Sequence, residues 1–280
     1  MDKSFQHAMT IDVEDYFHVS AFEDVIRKSS WDSLPLRVEQ NTRLLLDLFD
    51  EYETKATFFT LGWVAERTPE LIKDIVKRGH ELASHGYQHG RATEQSREEF
   101  RQDVDRSKKL LEDLSGHEII GYRAPSFSVN DSNRWVFDEL VDLGFIYSSS
   151  TYPVKHDLYG VPDWPRFKYR MDNGLIEIPL TTLKLGSKTM PISGGGYFRL
   201  YPYFVSRFLV NKFVKDEQAS AIFYMHPWEI DPDQPRQKGI SAKSAFRHYL
   251  NLKRQQNRLK NLMSDFKWGR MDQVFEVQGV

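Results

Sequence analysis

The chain has no cysteine among its 280 residues. That excludes a disulfide scaffold, a cysteine-ligated zinc site and a thiol nucleophile. Long apolar runs are missing too. No stretch approaches the ~18 apolar residues of a membrane-crossing helix, and the N-terminal MDKSFQHAMTIDVEDYF has no apolar centre of signal-peptide type. A cytoplasmic protein without stable membrane insertion is the expectation. Charge of one sign is not in excess either: 38 Lys and Arg against 40 Asp and Glu leave a formal net charge of −2. That balance gives no reason to expect nucleic acid or an anionic membrane as partner. The basic run Lys253, Arg254, Arg258 and Lys260 reads as the solvated face of a helix.

What is present suffices for a full core, with 40% hydrophobic and 14% aromatic residues. Strand-like and helical segments alternate. AMTID, KATFFT, HELAS, EIIGYRA, FIYSSS and SAIFYMH read as strands. Helical spacing covers 37–52, 96–114, 133–143 and 203–214; a further helix opens at Pro69 and stops at Gly79, and a long one spans about 241–263. From about 152 to 202 the pattern loosens into loops and short strands (LIEIPLTTLKL, KTMPIS), interrupted by prolines and by Gly194-Gly195-Gly196. Such alternation predicts an α/β architecture on a parallel sheet or barrel, whose chemistry collects at the C-terminal strand ends. There is no internal repeat or low-complexity linker. One unit over 1–280 is expected, with a core at about 8–228 and a C-terminal extension at about 229–280.

Four groups of polar residues fall at such ends. Asp12, Glu14 and Asp15 close the first strand, where three acids so close repel one another unless a cation or a proton-transfer role holds them. His85 and His89, in SHGYQH, are four residues apart after another strand and can share one ion. Without cysteine, that site is limited to nitrogen and oxygen donors, which suits zinc, cobalt, nickel or manganese. Arg123, in GYRAPSF, is placed to pair with a carboxylate, and His226 follows a buried apolar strand as a candidate general acid. Pro125, Trp228 and Tyr197 are candidate substrate contacts, and the aromatic residues Tyr152, Tyr159, Trp164, Tyr197 and Phe198 either line a groove or pack the loops.

In this order, TIDVED, SHGYQH, YRAPSF and IFYMH resemble the motifs of the polysaccharide deacetylase (NodB-homology, carbohydrate esterase four) family. HDLYGVPDWPRF, GGGYFRLYPY and HPWEIDPDQP, with FRHYLNL and DFKWGRMDQVF, are similar to its subgroup found beside exopolysaccharide and exosortase loci. The resemblance implies a distorted (β/α)7-type barrel with a C-terminal elaboration. It implies a metal-dependent hydrolase that removes N-acetyl groups from an amino-sugar polysaccharide or its precursor, most simply with zinc. By position, Asp12 would be the base, His85 and His89 metal ligands, Arg123 the partner of the base and His226 the acid. D-V-E-D departs from the adjacent Asp-Asp of many members, so the third ligand is Glu14 or Asp15. Tyr147-Ser148-Ser149 stands where relatives carry an acid that tunes the histidine. The competing readings are a cyclic amide or imide hydrolase of the same fold and a non-catalytic carbohydrate-binding protein.

Overall fold

The computed structural model describes residues 5–155, 160–186 and 188–277. Its centre is β1 (Gln6–Val13), with seven of eight residues buried. A strand covered on both faces needs apolar residues on both, which AMTIDV supplies until Asp12. The other strands are β2 (Thr57–Thr60), β3 (Glu81–Ser84), β4 (Gly121–Tyr122), β5 (Tyr147–Ser148), β6 (Tyr169–Arg170), β7 (Ile176–Glu177), β8 (Thr182–Leu185), β9 (Lys188–Pro191), β10 (Ile222–Met225) and β11 (Lys267–Gly269). Nine of them form one sheet in the order β10-β1-β2-β3-β4-β5-β7-β6, with β11 beside β1; β8 and β9 make a separate hairpin. Every pairing from β10 to β7 is parallel, and only β6 runs antiparallel, at the far edge. The sheet curls as a half-barrel without closing, as the expected distorted barrel should.

Helices α1 (Val38–Glu51), α2 (Gly62–Arg67), α3 (Pro69–Lys77), α4 (Arg97–Ser115) and α5 (Trp135–Asp142) join successive strands. After β9 come α6 (Gly195–Leu200) and α7 (Tyr203–Glu217), and after β10 come α8 (Ala242–Tyr249), α9 (Leu252–Asp265) and α10 (Met271–Val274). Side chains alternate across the sheet. Met9, Ile11, Phe58, Leu82, Phe223 and Met225 enter the larger core with the helices, whereas Ala8, Phe59, Ala83, Tyr147, Ile222 and Tyr224 form the cluster on the opposite, concave face. By the same alternation Thr10 and Asp12 belong to the concave face. An ionisable residue is thereby delivered to the top of the half-barrel.

The elements follow the sequence pattern with three differences. The helix expected over 241–263 is two helices, because Asn251 takes a left-handed φ of 54° between them. LIEIPLTTLKL is divided between β7 and β8, which Pro179 separates. The basic run is not wholly a solvated face: Arg258 turns inward and donates to the carbonyls of Phe198 and Arg199. No helix among the described residues is long and apolar enough to cross a membrane.

At the lower end of the half-barrel the buried Glu81 accepts hydrogen bonds from the Tyr147 hydroxyl, the Thr57 hydroxyl and the Asp272 backbone N–H. Burial, with Asp272 beside it, pushes its carboxyl above the usual range. The folded chain then holds this proton to higher pH than the unfolded chain, so the contribution is complete below the ordinary glutamate range and is lost as pH rises. Melting temperature is expected to fall between pH 5 and 8, and Glu81→Gln to flatten that slope. An unchanged slope in the variant would place its origin elsewhere.

Candidate active site

The strand ends converge on one pit. Asp12, 2% exposed, receives Arg123 Nη1 at 2.6 Å on Oδ1. The fully buried guanidinium also donates to the Thr10 hydroxyl, the Ser149 carbonyl and the Ser149 hydroxyl, and lies 4.0 Å from the Phe59 ring centroid. This is the pairing the sequence suggested. It leaves Asp12 Oδ2 facing His226 Nε2 at 4.0 Å.

The SHGYQH loop is shaped by two left-handed residues, Gly86 at φ 75° and His89 at φ 52°. Asp103 of α4 accepts from the backbone N–H groups of Tyr87 and Gln88, and Gly62 and Trp63 donate to the carbonyls of Gly86 and Tyr87. So held, His85 and His89 approach Glu14. Ligand atoms of the three residues lie within 4.8 Å of one another, and all three are buried.

Of the two acids left open, Glu14 is therefore the one beside the histidines. Asp15 is spent on the backbone: Oδ1 accepts from Tyr16 N–H, and Oδ2 accepts from Arg37 and Val38 N–H at 2.6 and 2.8 Å, capping the start of α1. Burial pushes the Asp15 carboxyl up to about 6 despite these donors.

The donor set fits a divalent cation. Glu14 Oε2 lies 2.7 Å from His89 Nε2, yet no hydrogen-bond donor is directed at it. His85 Nδ1 is 2.8 Å from the Arg123 carbonyl, which can only accept, so the ring proton is on Nδ1 and the Nε2 lone pair is free. Burial also lowers His85 to about 4, which keeps its imidazole neutral. Burial alone would raise Glu14, but the imidazoles of His89 and His226 hold it well below the carboxylate range.

His226 follows β10 and is the most open of the set, with its side chain 21% exposed. Its Nε2 is 3.3 Å from Glu14 Oε1, while Nδ1 donates to Glu229 Oε1 at 3.0 Å. Burial would lower this imidazole, but Glu14, Glu229 and Asp12 raise it to about 9. Glu229, three residues on in HPWE, thus supplies a carboxylate to this imidazole, a role the sequence reading did not assign. Arg199 pairs with it at 2.8 Å.

His18 was also missed, although it lies only four residues beyond Glu14. It is buried against Trp31 and Trp63 and near His89, and its Nε2 has no partner. Its Nδ1 accepts from Asp15 N–H, so Nε2 carries the proton and offers no lone pair to a cation.

The expected substrate contacts are less exposed than a groove requires. Trp228 is 5% exposed, stacked 5.2 Å from His226 and 4.1 Å from His248, so its faces are taken by imidazoles. Pro125 is buried at the start of a 3₁₀ turn, and Tyr197, half-buried on α6, stacks on Tyr201. Tyr152 and Phe198 are buried in the core, and Trp164 bonds Asp131. Tyr159 lies outside the described residues.

Comparison with known proteins finds likeness over two segments of the chain. Residues 27–143 match the family model "Polysaccharide deacetylase", and residues 149–276 match a domain of unknown function (DUF3473). Asp12 to Asp15 precede both segments. A peptidoglycan-N-acetylglucosamine deacetylase of Bacillus cereus is 33% identical over 104 residues, which are 37% of this chain and 47% of that protein. A peptidoglycan deacetylase of Helicobacter pylori is 30% identical over 131 residues, 46% of this chain and 44% of the other. The matched region thus spans less than half the length of either relative. Among solved structures, a Mycobacterium smegmatis protein classed as a polysaccharide deacetylase aligns with a TM-score of 0.60 at 22% identity, covering 99% of this chain and 90% of that one. A carbohydrate esterase four pseudoenzyme of Bacillus anthracis aligns at 0.50 with 14% identity, covering 96% of this chain and 64% of that one. Likeness at these identities shows the fold alone. The family model and the curated relatives show likeness to polysaccharide deacetylases over the matched segments.

The division of labour between neighbouring acids is testable. Asp15→Ala is expected to lower stability by about 1–3 kcal/mol through unmet backbone donors, without changing zinc stoichiometry in titration calorimetry. Loss of zinc binding at undiminished stability would return Asp15 to the ligand set.

Proposed function

We propose that the chain hydrolyses the N-acetyl amide of an amino-sugar polysaccharide or its precursor, with a divalent cation, zinc first, held by Glu14, His85 and His89. The observation that carries this reading is the convergence of a base, an acid and a ligand set. Asp12 Oδ2 and Glu14 Oε1 lie 4.0 and 3.3 Å from the same His226 nitrogen. When bound, the cation supplies Lewis-acid polarisation of a carbonyl and acidification of water.

The chain's own residues supply the proton transfers. Asp12, fixed on Oδ1 by Arg123, has Oδ2 available to take a proton from the attacking water. As the C–N bond breaks, His226 Nε2 gives its proton to the leaving nitrogen, so that acetate and a free amine result. An amine is a poor leaving group unless protonated, and the carboxylates around His226 favour the proton-bearing ring. Burial of Asp12, Glu14 and His85 excludes bulk water and strengthens these interactions.

The motifs that resemble the exopolysaccharide-associated subgroup support an exopolysaccharide or its precursor as the polymer. A silent carbohydrate-binding role is disfavoured because base, acid, arginine and ligand residues are all present and in contact. No contact favours a cyclic amide over a linear one.

Acetate release from N-acetylglucosamine oligosaccharides by zinc-loaded protein tests the reading directly, and a protein that binds no metal and releases no acetate from any amino sugar would refute it. Asp12→Asn should keep zinc but lose about 10²–10⁴-fold in kcat. His85→Ala should lose zinc. Equal loss of metal in both variants would overturn the assigned roles.

A further inference from the structure

His226, Glu229 and Arg199 all belong to the segment that matches a domain of unknown function. We propose that this segment serves as the positioning device for the acid: Arg199 and Glu229 are positioning residues that hold the His226 imidazole with its Nε2 aimed into the pit. The inference rests on the assignment of His226 as the acid.

Glu229 Oε1 accepts from both the backbone N–H and the Nδ1–H of His226, each at 3.0 Å. A carboxylate can only accept, so the Nδ1 proton and the ring plane are fixed together. Glu229 Oε2 accepts from Arg199 Nε at 2.8 Å. The Nη1 of Arg199 donates to the carbonyls of His248 and Leu250, at the end of α8. Its own carbonyl accepts from Asn251 Nδ2 and Arg258 Nη1, so α9 grips it from the other side. The turn carrying Glu229 (Pro227–Ile230) packs against both α1 and α9. Gly195 completes the cradle, since a Cβ there would collide with both carboxylate oxygens. The His226 ring is stacked on Trp228, which is stacked in turn on His248.

A helix cap alone does not account for this arrangement. Capping the 227–230 turn explains the bond to the backbone N–H of His226 but not the second bond to its ring or the guanidinium behind. Stability alone explains it poorly too. Arg199 and Glu229 are 2% and 1% exposed, and a pair so buried recovers little beyond its desolvation cost. What the pair delivers is a fixed direction for one imidazole.

The test compares two leaving groups on the same protein. An amine must be protonated to leave, whereas the phenolate of an aryl acetate leaves without the acid. With zinc bound, Glu229→Gln should lose about 10²-fold in kcat on N-acetylated amino-sugar oligosaccharides, with KM nearly unchanged, and keep aryl acetate hydrolysis within about three-fold. Retained aryl acetate activity also reports a folded, metal-loaded site. Arg199→Gln, measured in the same way, carries the test if the first variant does not fold. Equal loss on both substrates, or loss on neither, would overturn the proposal. A wild-type protein active on aryl acetate and inert on every amino sugar would instead refute the amide reading on which it rests.

Discussion

The ion pair between Asp12 and Arg123 organises the rest of the site. It is buried inside the curled sheet, where charges survive only when paired and hydrogen-bonded. Arg123 meets that condition by reaching Asp12 and Thr10 on β1 and Ser149 just beyond β5. Its backbone carbonyl, meanwhile, fixes the tautomer of His85 just beyond β3. One residue thus ties several strands together and sets both the direction of Asp12 and the free nitrogen of His85. Removing it would leave a buried carboxylate unpaired, a loss of about 3–5 kcal/mol, as well as disturbing the histidine.

Around that pair the site has two halves with different supports. The base and ligand half hangs on the sheet and on the loop that Asp103 pins to α4. The acid half hangs on the segment after β9, through Glu229, Arg199 and the ends of α8 and α9. The two meet where His226 Nε2 faces Glu14 and Asp12. A pseudoenzyme shares this fold, so the activity argued for this chain rests on the residues in the pit and not on the barrel.

Much of this was legible in the sequence because it is local. A buried strand followed by an acid, or by H-x-x-x-H, announces itself within a few residues, and His85, His89, Arg123 and His226 all lie beyond strand ends as expected. What could not be read is what depends on distant backbone. Glu14 and Asp15 are indistinguishable until Asp15 is seen to cap a helix that starts more than twenty residues later. Glu229 looks like part of an ordinary turn until Gly195 makes room for it and Arg199 pairs with it from across the fold. The break at Asn251 is hidden in a helical pattern because its cause is tertiary: the side chain of Asn251 bonds the Arg199 carbonyl.

The central claim is that Glu14, His85 and His89 form one cation site beside the Asp12–Arg123 pair. The most direct measurement is zinc K-edge X-ray absorption on protein loaded with one equivalent of zinc. The predicted spectrum contains two imidazole ligands with the remaining donors oxygen, and the imidazole signal falls when His85 is replaced by alanine. A spectrum with no imidazole contribution, or with three imidazoles, would contradict the account.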